Sequence, residues 1–121
     1  MADVLALVDD LFFQSKLIET ARQVGVTLKI AGTGAALIAA AAAQEHKLVL
    51  IDLNARQGAL DAVSQLHNTG NSAGNARPII GFLSHVQVDL AEKALAAGCQ
   101  SVLPRSKFTA ELPQILGQAK T

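Results

Sequence analysis

The stretch Leu-Val-Leu-Ile-Asp-Leu-Asn, residues 48–54, decides the fold predicted for this chain. Its four leading apolar residues, with β-branched Val49 and Ile51 among them, are typical of a short strand buried on both faces. The run ends on a carboxylate, Asp52, and a second polar residue, Asn54, follows two positions later. In open parallel α/β sheets, ligands bind in the crevice outside the carboxyl ends of the strands. Asp52 is therefore the first candidate for a functional residue.

Apolar runs and amphipathic segments alternate on either side of this stretch. Strands alternating with helices favour a parallel sheet covered on both faces, because each right-handed crossover is long enough to contain a helix. We predict a flavodoxin-like, doubly wound α/β sheet of five strands in the order 2-1-3-4-5, forming one domain over residues 1–121. The predicted strands cover residues 4–8, 26–31, 48–52, 78–83 and 99–103. The predicted helices cover residues 13–24, 35–44, 60–66, 88–97 and 109–119.

Local signals mark several ends of these helices. Gly25 ends the first helix, and Thr33 is a candidate N-cap for the second. Residues 68–77 are polar and rich in Gly and Asn, so we predict a mobile loop after the third helix. Pro113 falls early in the last predicted helix, where a proline can be accommodated.

The composition argues against some classes of binding partner. The formal net charge is zero and aromatic residues make up only 3% of the chain, so neither nucleic acid nor a membrane surface is an expected partner. The longest apolar stretch, residues 35–43, is far shorter than the roughly 20 residues needed to span a bilayer. The one cysteine, Cys99, cannot form an internal disulfide, and the N-terminus does not resemble a signal peptide. We expect a cytoplasmic protein.

Acidic residues follow two of the predicted strands. Asp9 and Asp10 end the first strand, and Asp52 ends the third. In the predicted order these strands are neighbours, so the three carboxylates would share the crevice at the switch point. Crowded carboxylates raise one another's pKa unless a cation neutralises them. A hard divalent ion such as Mg²⁺ suits this site, and it would lower the charge barrier to attack by a carboxylate on a phosphoryl group.

The fourth and fifth strands end on groups that complement an anion. Ser84 offers a hydroxyl donor, and Arg105 offers a cationic fork suited to phosphoryl oxygens. The competing interpretation is that the acids and Ser84 simply cap helices or begin loops, and that Arg105 is an ordinary surface charge.

Taken together, these motifs resemble those of response regulator receiver domains of bacterial two-component signalling. The likeness covers essentially the whole chain. It is carried by Val-Asp-Asp at 8–10, Ile-Asp-Leu-Asn at 51–54, Gly58, Ser84 and Ala-Gly at 97–98.

The resemblance implies a role for each candidate residue. Asp52 would be the phosphoacceptor, Asp10 a direct Mg²⁺ ligand, and Asp9 a ligand acting mainly through water. Asp52 would also bind the metal, as would the backbone carbonyl of Asn54. Ser84 would be the switch hydroxyl that contacts the added phosphoryl group.

The chain departs from the family after the fifth strand. The usual Lys-Pro pair is replaced by Leu-Pro-Arg-Ser-Lys-Phe at 103–108, so either Arg105 or Lys107 would take the place of the lysine. We favour Arg105 by position. The common Met-Pro pair is replaced by Ala-Arg at 55–56, and Val102 stands where an aromatic residue is usual. An aromatic switch coupled to Ser84 is therefore not expected.

The resemblance implies a signalling module and not an enzyme, with self-phosphorylation and dephosphorylation as its only chemistry. A histidine kinase or a phosphotransfer protein would be the donor. A downstream protein would read the face formed by helix four, strand five and helix five. One alternative is a receiver-like adaptor that signals without phosphorylation, and another is a flavin or nucleotide binder on the same fold.

Overall fold

The computed structural model describes residues 3–44, 46–55, 58–73, 78–84 and 87–119. Within these ranges strands and helices alternate, as the hydrophobic pattern predicts. The strands are β1 (Val4–Leu7), β2 (Leu28–Ala31), β3 (Leu48–Asp52), β4 (Ile79–Leu83) and β5 (Ser101–Pro104). The helices are α1 (Leu11–Val24), α2 (Gly34–Ala43), α3 (Ala59–Ala73), α4 (Val88–Ala97) and α5 (Arg105–Gly117).

The five strands form one parallel sheet in the order β2-β1-β3-β4-β5, which confirms the predicted topology. Leu7 at the end of β1 is in register with Ile51 of β3, and Asp52 is in register with Phe82 of β4. The chain leaves β1 towards β2 and leaves β3 towards β4, so the switch point lies between β1 and β3. Residues that follow these two strands therefore meet at one edge.

The sheet is buried on both faces. All residues of β1, β3 and β4 are buried, as expected of central strands in a doubly wound sheet. Side chains alternate along β3, so that Leu48 and Leu50 join one core cluster while Val49 and Ile51 join the other. We call these the α1/α5 layer and the α2–α4 layer after the helices that cover them.

Two predicted helix ends are present. Thr33 caps α2, because its hydroxyl accepts a hydrogen bond of 3.1 Å from the backbone N–H of Ala36. Gly25 ends α1 in the left-handed conformation at φ 91°, and its N–H donates to the carbonyl of Ala21. The absence of a Cβ makes this conformation accessible without strain.

Two predictions about helix length are wrong. Helix α3 continues to Ala73, so residues 68–73 of the predicted loop are helical, while residues 74–77 lie outside the described residues. Helix α5 begins at Arg105, directly after β5, which places Pro113 in its interior. The early start positions Phe108, which is fully buried, against the sheet. This packing outweighs the helix hydrogen bond that a proline at this position cannot donate.

Of the helices in the described ranges, none is long and apolar enough to cross a bilayer.

Candidate functional site

Asp52 ends β3 and is the buried charge at the switch-point edge, with 1% of its surface exposed. Each of its carboxylate oxygens has a donor. Oδ1 accepts a hydrogen bond of 2.9 Å from the backbone N–H of Asn54, and Oδ2 accepts one of 3.2 Å from Nη2 of Arg105. The carboxylate is thus held in one orientation from two directions.

Burial dominates the protonation behaviour of Asp52. Desolvation raises the pKa of this carboxyl above its ordinary value, because the charged form loses water. The hydrogen bond from Asn54 and the charge of Arg105 lower the pKa, whereas the charges of Asp9 and Asp10 raise it. The sequence predicted the repulsion among the acids, but desolvation is the larger cause.

Asp10 lies between β1 and α1 and has two roles in the structure. As the N-cap of α1, its Oδ1 accepts hydrogen bonds from the backbone N–H groups of Phe12 (2.9 Å) and Phe13 (3.4 Å). Its Oδ2 lies 3.5 Å from Nη1 of Arg105. Asp10 therefore caps a helix and also contacts Arg105, although the sequence presented capping and a place in the site as competing interpretations.

Arg105 joins the two carboxylates. It is the first residue of α5, and its two terminal nitrogens contact Asp10 and Asp52 separately. Its guanidinium carbon lies 4.8 Å from the ring centroid of Phe13 and 5.9 Å from that of Phe82, within range of cation–π attraction. Lys107, the other cation considered for this place, is exposed. Arg105 is thus the cation that the structure brings to Asp52.

The sequence did not reveal the part played by the phenylalanines. Phe13 falls in the first predicted helix and Phe82 in the fourth predicted strand, where a buried apolar residue indicates packing and not a functional role. Strand register could have indicated their position, since Phe82 is opposite Asp52 in the sheet and an arginine after β5 would lie beside it.

Asn54 connects the end of β3 to the segment after β4. Its Oδ1 accepts a hydrogen bond of 2.7 Å from the backbone N–H of Ser84, and its Nδ2 donates to Oε1 of Gln87 at 2.9 Å. Ser84 is exposed, and the sequence did not identify Gln87 as a site residue. The side chain of Asn54 therefore has a structural role that is separate from the metal-binding role assigned to its backbone carbonyl.

The carboxylate oxygens at this edge of the sheet are suitable ligands for Mg²⁺. In the structure, however, two of the carboxylates contact Arg105, which is itself a cation. Carboxylate oxygens from Asp9, Asp10 and Asp52 are the hard ligands that Mg²⁺ prefers. Asp9 is exposed, and its charge acts on Asp52. Among the residues that the structure describes, no three His, Cys, Asp or Glu side chains are grouped as a metal site. The Oδ2 atoms of Asp10 and Asp52 both face Arg105, so its charge would compete with that of a metal ion held by the same carboxylates.

An apolar groove of about 240 Å³ lies between α4 and β5. Its rim includes Val88 and Leu95, which are 58% and 49% exposed. Gln87, which hydrogen-bonds to Asn54, also lines this groove. The groove is thus connected to the acidic site through one side-chain contact.

Solved structures of the same architecture are receiver domains. The receiver domain of NtrX from Brucella abortus matches with a TM-score of 0.80 and 16% identity, covering 97% of each chain. The chemotaxis response regulator CheY4 of Vibrio cholerae matches at 0.78 and 19%, covering 96% of this chain and 98% of that one. A CheY-like receiver domain protein from Methanospirillum hungatei JF-1 matches at 0.78 and 14%, covering 97% and 94%.

The fold is therefore that of CheY-like response regulator receiver domains, the class that the sequence motifs predicted. No protein-family model matches the chain, and no curated protein matches it by sequence. At these identities the structural likeness establishes the fold alone.

Proposed function

We propose that the chain is a signalling receiver that accepts a phosphoryl group on Asp52 from a histidine kinase or a phosphotransfer protein. The observation that carries this proposal is the setting of Asp52. It is a buried carboxylate at the C-terminal end of a central parallel strand, with a guanidinium within 3.2 Å and the charges of Asp9 and Asp10 acting on it. The receiver-domain fold supports the same function, and the proposed donors agree with the cytoplasmic location that the sequence predicts.

In the proposed reaction, a carboxylate oxygen of Asp52 attacks the phosphorus atom of the donor. The bond from phosphorus to the donor's imidazole nitrogen breaks, its electrons remain on that nitrogen, and Asp52 becomes an aspartyl phosphate. We propose Asp9, Asp10, Asp52 and the backbone carbonyl of Asn54 as the residues that hold Mg²⁺. When bound, this ion would neutralise charge between the carboxylates and the phosphoryl oxygens.

Ser84 and Arg105 are the proposed sensors of the added charge. The hydroxyl of Ser84 can donate to a phosphoryl oxygen, and the guanidinium of Arg105 can bind two such oxygens. Since Asn54 contacts both Ser84 and Gln87, a change at the acceptor would reach the start of α4 and the α4–β5 groove. We propose the face formed by α4, β5 and α5 as the surface that a downstream protein reads.

The acceptor role is tested by incubating the protein with acetyl phosphate and Mg²⁺ and measuring the intact mass. We expect the wild type to gain one phosphoryl group, and Asp52→Asn to gain none. Asp61→Asn, which removes an exposed carboxylate on α3, is the matched control and should be modified like the wild type. An unmodified wild type, or an Asp52→Asn protein that still gains the group, would contradict the proposal.

A phosphorylation-independent adaptor is the second candidate, and one contact favours it. Arg105 already pairs with Asp10 and Asp52, so the acidic site has a counter-charge without any ligand. An adaptor would bind its downstream protein equally well with Asp52→Asn, and would lose binding when Leu95→Glu places a charge on the α4–β5 groove. A loss of binding with Asp52→Asn, measured by calorimetry, would eliminate this candidate.

A further inference from the structure

The guanidinium of Arg105 contacts the two carboxylate oxygens that face each other across the switch point. Nη1 lies 3.5 Å from Oδ2 of Asp10, and Nη2 lies 3.2 Å from Oδ2 of Asp52. The remaining oxygen of each carboxylate accepts backbone N–H groups. The Oδ2 atoms are therefore the pair that an external cation would need to bridge Asp10 and Asp52.

Mg²⁺ and the guanidinium would compete for this pair of oxygens. Mg²⁺ requires oxygen ligands at about 2.0–2.1 Å in a nearly octahedral arrangement, much closer than the 3.5 Å and 3.2 Å that separate the two Oδ2 atoms from the guanidinium nitrogens. The two positive charges would also repel each other, and water screens this repulsion less where Asp52 is buried.

The guanidinium of Arg105 packs against an aromatic ring, but one of its nitrogen atoms lacks a hydrogen bond. The ring of Phe13 lies against the guanidinium, with 4.8 Å between the guanidinium carbon and the ring centroid. The Nε atom, in contrast, is buried and has no hydrogen-bond partner among the residues that the structure describes. A buried donor without a partner lowers the stability of the state that contains it. The contacts with Phe13, Asp10 and Asp52 therefore favour this position of the guanidinium when no other cation is present. Movement of the side chain would allow Nε to form the hydrogen bond that it lacks here.

We propose that Arg105 is a built-in cation that competes with a divalent metal ion for Asp10 and Asp52. The metal ion binds by displacing the guanidinium from between the two carboxylates. The strength of metal binding is then set by Arg105 as well as by the acids, and the acidic site keeps one counter-charge when the concentration of divalent ions is low. This inference rests on the Mg²⁺ site of the proposed function, but it does not require phosphoryl transfer.

The competition is tested by titrating the full chain with Mg²⁺ in a calorimeter. Replacing a charged hydrogen bond to a buried carboxylate corresponds to about a tenfold change or more in an equilibrium constant. We therefore expect Arg105→Gln to bind Mg²⁺ at least about tenfold more tightly than the wild type. Lys107→Gln removes the same charge from an exposed position two residues away, and should change the affinity less than about twofold. Equal affinities for wild type and Arg105→Gln, or no binding by Arg105→Gln, would overturn the proposal.

A second measurement needs only the wild-type fold. The side-chain N–H resonances of Arg105, assigned by through-bond correlations in the isotope-labelled wild-type protein, should shift as Mg²⁺ is added and should follow the calorimetric binding curve. Metal binding that leaves these resonances unchanged would show that the guanidinium stays in place, and would overturn the proposal even if the variant failed to fold.

The two proposals fail in different ways. If Mg²⁺ displaces Arg105 but acetyl phosphate adds no phosphoryl group, the acceptor function is wrong and the competition stands. If Asp52 is phosphorylated while Arg105→Gln and the wild type bind Mg²⁺ equally, the competition is wrong and the acceptor function stands.

Discussion

The two layers that cover the sheet achieve close packing in different ways. The α1/α5 layer contains a cluster of three phenylalanines. The rings of Phe82 and Phe108 are stacked with 4.1 Å between their centroids, and the ring of Phe13 is tilted against that of Phe82 at 5.1 Å. In the α2–α4 layer, none of the buried core residues that the structure describes is aromatic. There the backbone itself approaches neighbouring side chains, since a Cβ on Gly81 would lie only 3.0 Å from Cδ1 of Leu53.

This difference explains where the acidic site lies. Asp52 alternates with Ile51 along β3 and so projects to the same side as Leu50, which belongs to the α1/α5 layer. Arg105 then lies over Phe13 and within reach of Phe82, so the aromatic cluster supports the cation that pairs with Asp52. The segment that precedes α4 is connected to the site through the hydrogen bonds of Asn54. Aromatic packing and site electrostatics are therefore coupled on one face of the sheet.

The largest expected effect tests the aromatic layer. Phe108→Ala should lower the free energy of unfolding by about 3–5 kcal/mol, because it opens a cavity beneath two other rings. Urea denaturation followed by circular dichroism measures this loss. Phe12→Ala, at a position 89% exposed on α1, is the matched control and should change stability by less than about 0.5 kcal/mol. Similar losses for both variants would show that the aromatic cluster does not stabilise this face.

A smaller loss of stability is expected in the α2–α4 layer, where the backbone lies close to neighbouring side chains. Gly98 ends α4 at φ 134°, and a Cβ there would overlap the side chain of His67 on α3. Gly98→Ala should therefore lower the free energy of unfolding by about 1–3 kcal/mol. Adding His67→Ala should recover only part of this loss, because the backbone strain remains. A Gly98→Ala protein as stable as the wild type would contradict the packing described for the α2–α4 layer.

The smallest expected effect concerns the charge at the edge of the aromatic layer. Burial raises the pKa of Asp52 above its value in the unfolded chain, so the folded state binds this proton more tightly. Stability then decreases as the pH rises through the folded-state pKa, and ionised Asp52 destabilises the fold at neutral pH. Asp52→Asn should be more stable than the wild type by about 0.5–2 kcal/mol at neutral pH.

This gain should disappear below about pH 3, where Asp52 is largely protonated in the folded and unfolded states alike. Urea denaturation at both pH values measures the effect, and Asp61→Asn at an exposed position should show no such gain. A loss of stability in Asp52→Asn at neutral pH would mean that pairing with Arg105 outweighs desolvation.

The elements that the sequence predicted well are those with a strong local signal. Strand β3 and helix α4 have the predicted bounds, because an apolar run and a 3.6-residue period respectively are decisive over their whole lengths. The predictions were wrong for the ends of α3 and the start of α5. Polar residues at 68–73 give no apolar period, and packing of Phe108 determines where α5 begins. The start of α5 shows a tertiary contact outweighing local preference.

The sequence by itself determined the alternation of strands and helices and the placement of polar residues after the strands, since these follow from hydrophobic periodicity. The sheet order was predicted from the flavodoxin-like class of doubly wound sheets and is confirmed by the strand pairing. The tertiary structure decided which groups meet. Contacts between Arg105 and both Asp10 and Asp52, and the support of its guanidinium by Phe13, join residues that are far apart in the chain. Such contacts depend on strand register and helix packing, which set distances between residues that no local pattern encodes.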